Sequence, residues 1–588
     1  MTSTVEITDP REDKAATIDQ VWQDLSFERQ NWLDEGAEAR RYVTATSTAT
    51  TEVGSLPWKN KTTIPKLTQI RDNLQAYYMA ALMPTDDWFR WEGADAESHE
   101  KGELIEAYMQ TKLRMSGFHQ TLEQVVSDWI LYGNAFVGVD WVHDKTTDPV
   151  TRQETTAYVG PKLVRVSPQD CVIDKRATSF ERSPFVRRRY MTISELATYN
   201  DSGNTIKFDE EAIANVLEYR RGSRADWTDY YREQGYEMDG FQAYTDYFES
   251  QYVEILEYWG DLYVKSTGEV LHNRSIFVAE RAFVLADVQN PTWSGMKPFA
   301  HSGWRVLPDN LYGQGPLANL VGMQYRCDHL ENLKADTFDQ IVHPIIKIKG
   351  DDVEPFEWGP GVQVRTGIDG DVDIISPPAN VLNANSEIGF YHNMMEQMAG
   401  SPREMMGFRS PGEKTAFEVN VLQQGADRVF QNRLNRFELL IQRVLSLMFE
   451  MIIRNLDVED IARTFNGDTK ALQLATITRE DVTASGQLHP VGAKHFAARN
   501  KRIQEMQTLI QLMQTPTMAA HFSGSAASKA IVEELGFEKY NITGFGSGMM
   551  EQMQLQQLQQ QMQEMTPQQG EQADADSQEQ AGLPTEGA

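Results

Sequence analysis

Residues 415–454 contain no proline and repeat Phe417, Val421, Val429, Phe430, Leu434, Phe437, Ile441, Val444, Leu445, Met448 and Ile452 along one apolar stripe. Steps of three and four are helical, and at ~1.5 Å per residue such a helix spans roughly 60 Å, longer than a typical globular domain is wide. Helices gain most of their stability by packing that stripe against something. A helix this long therefore needs apolar neighbours along its length, from this chain or from copies of it. It describes an elongated part rather than a closed pocket. Gly425 alone interrupts the pattern, and a kink is expected there.

A second helical tract opens at Pro316, a residue suited to a first turn because its missing N–H goes unused there. It runs to the His343-Pro344 stop with Leu317, Leu320, Met323, Cys327, Leu330 and Leu333 at helical spacing. An insert at 344–378 follows, in which Ile345-Ile346-Lys347-Ile348-Lys349 and Val362-Gln363-Val364-Arg365 alternate as strands do, with turns at Gly359-Pro360-Gly361 and Asp369-Gly370. A helix over about 384–398 then ends at Gly400-Ser401-Pro402. The loop 400–414 between it and the long helix carries Arg403, Arg409 and Lys414. Such a loop is either a solvated connector or a mobile basic element near a polyanion.

Towards the N-terminus, residues 11–42 read as one amphipathic helix with Ile18, Val21, Trp22, Leu25 and Trp32, and 66–83 as another, ended by Pro84. Residues 102–115 and 118–131 read as a helical pair divided by Ser116-Gly117. The pattern changes after Gly133: 135–142, 162–166 and 252–259 are β-like, so 135–300 forms a mixed region expected to hold short strands. Past Asp457 the chain reads as helical again, through 494–513 and 525–535, with a hinge at 544–548. A Gln/Met-rich helix at 549–565 precedes a tail that lacks the apolar residues needed to order it.

With 588 residues, 40% hydrophobic and 24% charged, the composition is that of ordinary soluble proteins of three or four domains. The opening residues lack a signal-peptide layout and no apolar run is long enough to cross a bilayer. Two cysteines, Cys171 and Cys327, exclude a disulfide framework and a cysteine-based zinc site, and fit a reducing compartment. A net charge of −30 speaks against adhesive nucleic-acid binding.

Chemical motifs are sparse. Gly313-Gln314-Gly315-Pro316-Leu317-Ala318 resembles a dinucleotide fingerprint, but Leu307-Pro308-Asp309-Asn310 before it reads as a turn and the residues after it stay helical, so a helix-entry turn is expected. Asp369-Gly370-Asp371-Val372-Asp373 opens like a calcium loop, yet Ile374 and Asn380 stand where glycine and an acidic ligand are needed. An acidic turn between strands is expected, with no metal and no cofactor. Arg187-Arg188-Arg189 reads as a solvated strand edge. No serine-hydrolase, zinc-protease or phosphate-loop signature occurs, so no catalytic residue is assigned.

The order of these pieces resembles the portal (head-to-tail connector) proteins of short-tailed bacteriophages, over roughly residues 15–565. The local phrases Asp309-Asn310-Leu311-Tyr312-Gly313-Gln314-Gly315-Pro316, Arg326-Cys327-Asp328-His329-Leu330-Glu331-Asn332 and Lys414-Thr415-Ala416-Phe417-Glu418-Val419 also resemble that family. So does the stretch from Ser116-Gly117-Phe118 to Gly133-Asn134-Ala135.

The resemblance implies an α+β fold with an N-terminal arm (1–49), an α/β wing (50–309), stem helices (310–343 and 379–399), a small strand-rich clip (344–378) and a tunnel loop (400–414). The long kinked helix with the wing's return (415–493), a helical crown (494–565) and a disordered tail (566–588) complete it. It further implies a non-enzymatic ring, usually of twelve subunits, at one capsid vertex, through which double-stranded DNA is packaged and ejected. Arg403, Arg409 and Lys414 would face the DNA. Lys347, Lys349 and Arg365 would meet the terminase motor and then the tail adaptor. Capsid and scaffold proteins would be further partners, with assembly in the host cytoplasm. Two other readings stay open: another virion adaptor or scaffold, and a carboxylate-dependent hydrolase using the Trp/Tyr-rich region 219–263.

Overall fold

The computed structural model describes residues 5–7, 14–46, 48, 60–83, 88–147, 152, 154–201, 204–222, 252–350, 353–354, 356, 363–375, 384–400, 416–456, 460–466 and 471–491. The chain divides into two units, residues 1–463 with 474–494, and residues 464–473 with 495–588. Nearly all described residues belong to the first, which is α+β. The expected helices at 494–513, 525–535 and 549–565, and the tail, lie outside the described residues. Among the described residues no helix is long and apolar enough to cross a membrane.

A six-stranded sheet runs in the order Cys171–Ile173, Phe185–Thr192, Tyr252–Val264, Glu269–Ala279, Phe283–Gln289, with Val5–Ile7 pairing in parallel to the end of Tyr252–Val264. The central strand is buried along almost its whole length because both of its faces are covered. Leu256 and Tyr258 face a core completed by Ala15, Ile18 and Trp22 of helix Lys14–Glu28. Val253, Ile255 and Trp259 face a second core with Phe185, Phe277 and Phe299. Period-two alternation splits the side chains between two cores, so the strand reads as a nearly continuous apolar run. A second sheet places Asn134–Thr147 between Phe299–Gly303 and Glu154–Val166. Strands of 13 and 14 residues correct the expectation of short strands in this region.

The single helix expected over 11–42 is two, Lys14–Glu28 and Gln30–Thr44. They meet at Arg29, whose guanidinium donates to the carbonyl oxygens of Pro168, Gln169 and Cys171, fixing the junction to the sheet edge. Arg187, Arg188 and Arg189 are not a solvated edge either. Their strand lies inside the sheet, where Arg187 and Arg189 meet Glu257 at 3.5 and 3.4 Å and Arg188 meets Asp170 at 2.9 Å. Carboxylates from neighbouring segments make this burial tolerable.

Helices Lys66–Leu82, Gly102–Met115, Phe118–Tyr132 and the long helix Ala416–Asn455 enclose the largest core. Trp129 stands at its centre, 4.4 Å from Trp304 and 4.7 Å from Phe437 between ring centroids. The stripe read from sequence is buried from Phe430 to Ile452 against this chain's own elements. The long helix is continuous through Gly425. Beyond it the chain is not all helical: strands Asp460–Asn466, Ala471–Ile477 and Gly486–Pro490 follow, the last pairing antiparallel with Phe89–Gly93.

Leu307-Pro308-Asp309-Asn310 makes the expected turn, and that turn joins two strands. Arg305–Leu307 pairs with Asn310–Gln314, and helix Val321–Val342 begins after a 3-10 turn at Ala318–Leu320 rather than at Pro316. The glycines serve close packing. A Cβ on Gly313 would fall 2.7 Å from the Gly133 carbonyl oxygen and 2.9 Å from the Gly303 Cα. Asn134, fully buried beside them, donates to the Gly313 carbonyl at 2.8 Å and accepts from the Gly313 N–H at 2.8 Å. The His301 Nε2 lies 2.9 Å from the same Asn134 oxygen, and burial holds His301 neutral, its pKa pushed down to about 3.

One buried acid sets a pH dependence. Glu254 is fully buried on the central strand and bonds Arg281 at 3.0 Å, while Arg281 also reaches Asp19 at 3.3 Å. Burial pushes the Glu254 carboxyl up to about 7, with Arg281 pulling the other way. A folded pKa above the unfolded one favours the fold fully below the unfolded value, and that share is lost as pH rises through the folded value. Thermal melts of Glu254→Gln between pH 5 and 8 are therefore expected to gain on wild type as pH rises. A constant difference across that range would contradict the assignment.

Candidate assembly surface

Helix Val321–Val342 carries an unusual stripe: buried Gln324, Asp328 and Asn332 and half-buried Asp336, spaced by four, are polar where an apolar contact is usual. They bind an extended segment of the same chain. The N–H of Asn60 donates to Asp336 at 2.8 Å, that of Thr62 to the Asn332 side chain at 2.8 Å and that of Ile64 to Asp328 at 3.0 Å. In return, Asn332 Nδ2 donates to the Thr62 carbonyl at 3.0 Å and Gln324 Nε2 to the Ile64 carbonyl at 2.6 Å. The match is geometric, since two residues of extended chain advance about 6.6 Å and four residues of helix about 6 Å. The backbone groups of Asn60, Thr62 and Ile64 thereby find partners on the helix. At the end of this segment the Lys66 ammonium is buried against Glu396 of the next helix, Asn385–Ala399.

These two helices touch along Arg326–Glu387 (3.3 Å) and Lys334–Asn385 (3.0 Å). Burial falls away along the first of them. Its start is in the large core, whereas Phe338 and Val342 in its last turns are exposed. On the second helix Phe390 and Met398 are exposed as well. Burial and the Arg326 guanidinium hold the His329 imidazole below its usual pKa.

Directly after the 321–342 helix, Ile345–Lys349 forms a two-stranded antiparallel hairpin with Asp371–Ile375. Sequence alternation placed the first strand correctly but assigned the second to 362–365. Val353 and Thr366 make only an isolated bridge there, and the Arg365 carbonyl accepts the Glu354 N–H at 3.3 Å. The acidic phrase with calcium-loop character is thus largely the returning strand. Register sets Lys347 opposite Asp373 and Lys349 opposite Asp371, with Ile345 and Ile375 on the same face. The other face holds Ile346, Ile348, Val372 and Ile374, all apolar. Ile348 is 56% and Ile374 48% exposed, and no second layer covers them among the described residues.

An isolated two-stranded hairpin is marginal in water, and large apolar side chains held open on it mark an interaction surface. With Ile345 and Ile375 of the other face and with Phe338, Val342, Phe390 and Met398, these isoleucines form the main set of exposed apolar groups on the two helices and the hairpin.

Of the residues singled out from sequence, Lys347 and Lys349 stand together on this hairpin, exposed. Arg365 is exposed but off it. Arg403, Arg409 and Lys414 lie outside the described residues. Sequence reasoning missed the apolar hairpin face and the polar stripe, although the four-residue spacing of Gln324, Asp328, Asn332 and Asp336 was a readable signal. Among the described residues no cluster of metal-ligating side chains occurs.

Residues 15–159 match the family model described as bacteriophage head to tail connecting protein. Among solved structures, a chain from the "Neck of empty GTA particle computed with C6 symmetry" is similar at 11% identity, covering 84% of this chain and 93% of that chain, with a TM-score of 0.37. A superposition that loose carries no weight for fold or role. No curated protein matches the chain.

Proposed function

We propose, from the match of residues 15–159 to the bacteriophage head to tail connecting proteins, that this chain is a portal subunit whose copies form the ring joining head and tail. The family match carries the reading. The uncovered apolar groups of the hairpin and its two helices support it, because a neighbouring copy would cover them.

In this reading the ring sits at the portal vertex of the virion and its bore conducts double-stranded DNA during packaging and ejection. Helices Val321–Val342 and Asn385–Ala399 are the stem. The insert 344–378 is the clip, with Lys347, Lys349 and Arg365 offered to the terminase motor and later to the tail adaptor. Residues 50–309 and 415–493 make the wing, which meets capsid and scaffold proteins, and 494–565 the crown. The loop 400–414 turns Arg403, Arg409 and Lys414 towards the DNA. A net charge of −30 per copy suits a conduit: acidic walls repel phosphates over a screening length of ~8 Å at physiological salt, and DNA slides rather than sticks. No catalytic step is assigned to the chain; hydrolysis that drives packaging belongs to the motor.

Negative-stain microscopy of the purified full chain, with mass from light scattering, tests this directly. Closed rings, expected to hold twelve copies around a hole of duplex width, are the predicted result. A stable monomer at micromolar concentration would sink it.

A further inference from the structure

The chain enters helix Val321–Val342 through a second two-stranded hairpin, Arg305–Leu307 with Asn310–Gln314. Between this hairpin and the long helix lies a groove of about 710 Å³. One wall is Arg436, Leu439, Leu440 and Arg443, spaced as i, i+3, i+4 and i+7 and so on one helical face. Val306, Leu307 and Pro308 of the hairpin form the other. Leu440 is buried in the core, but Leu439 is 64% and Val306 59% exposed. Phe27, 78% exposed, precedes Glu28, which holds Arg176 of the groove rim at 3.0 Å. Exposed apolar groups clustered along a groove mark a protein contact.

Charge narrows what the groove accepts. Arg176, Arg436 and Arg443 line it against two carboxylates, Glu181 and Asp309, a local balance of +1 on a chain of −30. Arg443 lies 3.7 Å from Glu181, whereas Arg436 meets no carboxylate among the described residues and donates to the Trp304 carbonyl at 3.3 Å. An apolar, locally basic groove suits an acidic partner surface. Copies of this chain are such partners, since bodies of −30 repel one another unless cations of one meet acids of the next. Position agrees. The other open apolar patch, on the hairpin Ile345–Lys349 with Asp371–Ile375, follows the far end of helix Val321–Val342, whose 22 residues span about 33 Å. Stems standing side by side and held at one end only would splay. A second contact at the other end fixes their tilt.

We propose that this groove receives a second copy of this chain and forms the wing-side contact between neighbours, a reading that rests on the ring proposed above. Leu439, Val306 and Leu307 of one copy are covered by apolar groups of the next, and Arg436 gains a carboxylate from it.

Photo-crosslinking of the full chain with a benzophenone side chain in place of Leu439 tests it. Irradiated rings are expected to yield covalent dimers and higher multiples of the chain. Leu439→Glu with Val306→Glu is expected to raise the concentration needed for half-assembly a hundredfold or more, and Arg436→Glu tenfold or more. The monomer melting temperature should stay unchanged in each, because none of these side chains is buried. Rings that form in the wild type but give no crosslink between chains overturn the proposal while the ring reading stands. Double glutamate variants that assemble at the wild-type concentration do the same. So do crosslinks that form only once another virion protein is added, which makes the groove that protein's site. The crosslinking result stands even where a glutamate variant fails to fold. A wild-type chain that stays monomeric overturns the ring reading and this contact with it.

Discussion

Gly133→Ala is expected to prevent folding. Gly133 ends helix Phe118–Tyr132 at φ +73°, a left-handed conformation that costs a non-glycine residue about 1 kcal/mol or more. A methyl added there would fall 2.2 Å from the Gly315 backbone nitrogen and 2.4 Å from the Gln314 carbonyl carbon. Both obstacles are backbone, so no side chain can rotate aside. Relief requires moving the strand Asn310–Gln314, and with it the Asn134 and His301 bonds that hold the junction. Strain and lost packing together put the cost above about 4 kcal/mol, a large share of a domain's stability. Gly389→Ala is the matched control. It lies inside helix Asn385–Ala399 with nothing within 4 Å of an added Cβ, so it should stabilise by up to ~1 kcal/mol. Soluble yield and denaturant midpoints of the two variants check the pair. A normally folded Gly133→Ala protein would mean that the close approach of these backbones is not required.

The second large effect is expected on assembly rather than on folding. Ile348→Glu with Ile374→Glu places two charges on the open apolar face of the hairpin. Neither residue contributes much to the chain's own core, so the monomer's melting transition should hardly move. A seam between copies would lose the burial of two isoleucines, about 3 kcal/mol or more, which is over a hundredfold in each subunit contact. Desolvating the new carboxylates adds to that. Rings are therefore expected to give way to monomers in light scattering. Lys347→Ala, by contrast, removes half of one exposed cross-strand pair and is expected to leave assembly nearly unchanged. Intact rings from the double glutamate variant would place the seam elsewhere.

Local signals carried the sequence reading far. The stripe from Phe430 to Ile452, the helix ended at Gly133 and the strand Ile345–Lys349 all declare themselves by period and by their stops, because side-chain direction repeats every 3.6 or 2 residues whatever lies opposite. Partnership is another matter. Arg187, Arg188 and Arg189 look like an edge until the strands on both sides, and the distant Asp170 and Glu257, are in place. Asp371–Ile375 and 362–365 alternate equally well, and only the pairing in the folded insert sets the former against Ile345–Lys349. The phrase Gly313-Gln314-Gly315 carries no sign that its purpose is contact with Gly133, some 180 residues earlier. Periodicity is written into each segment by itself; pairing, burial of charge and the contact of one backbone with another depend on which remote segment arrives, and that only the tertiary structure decides.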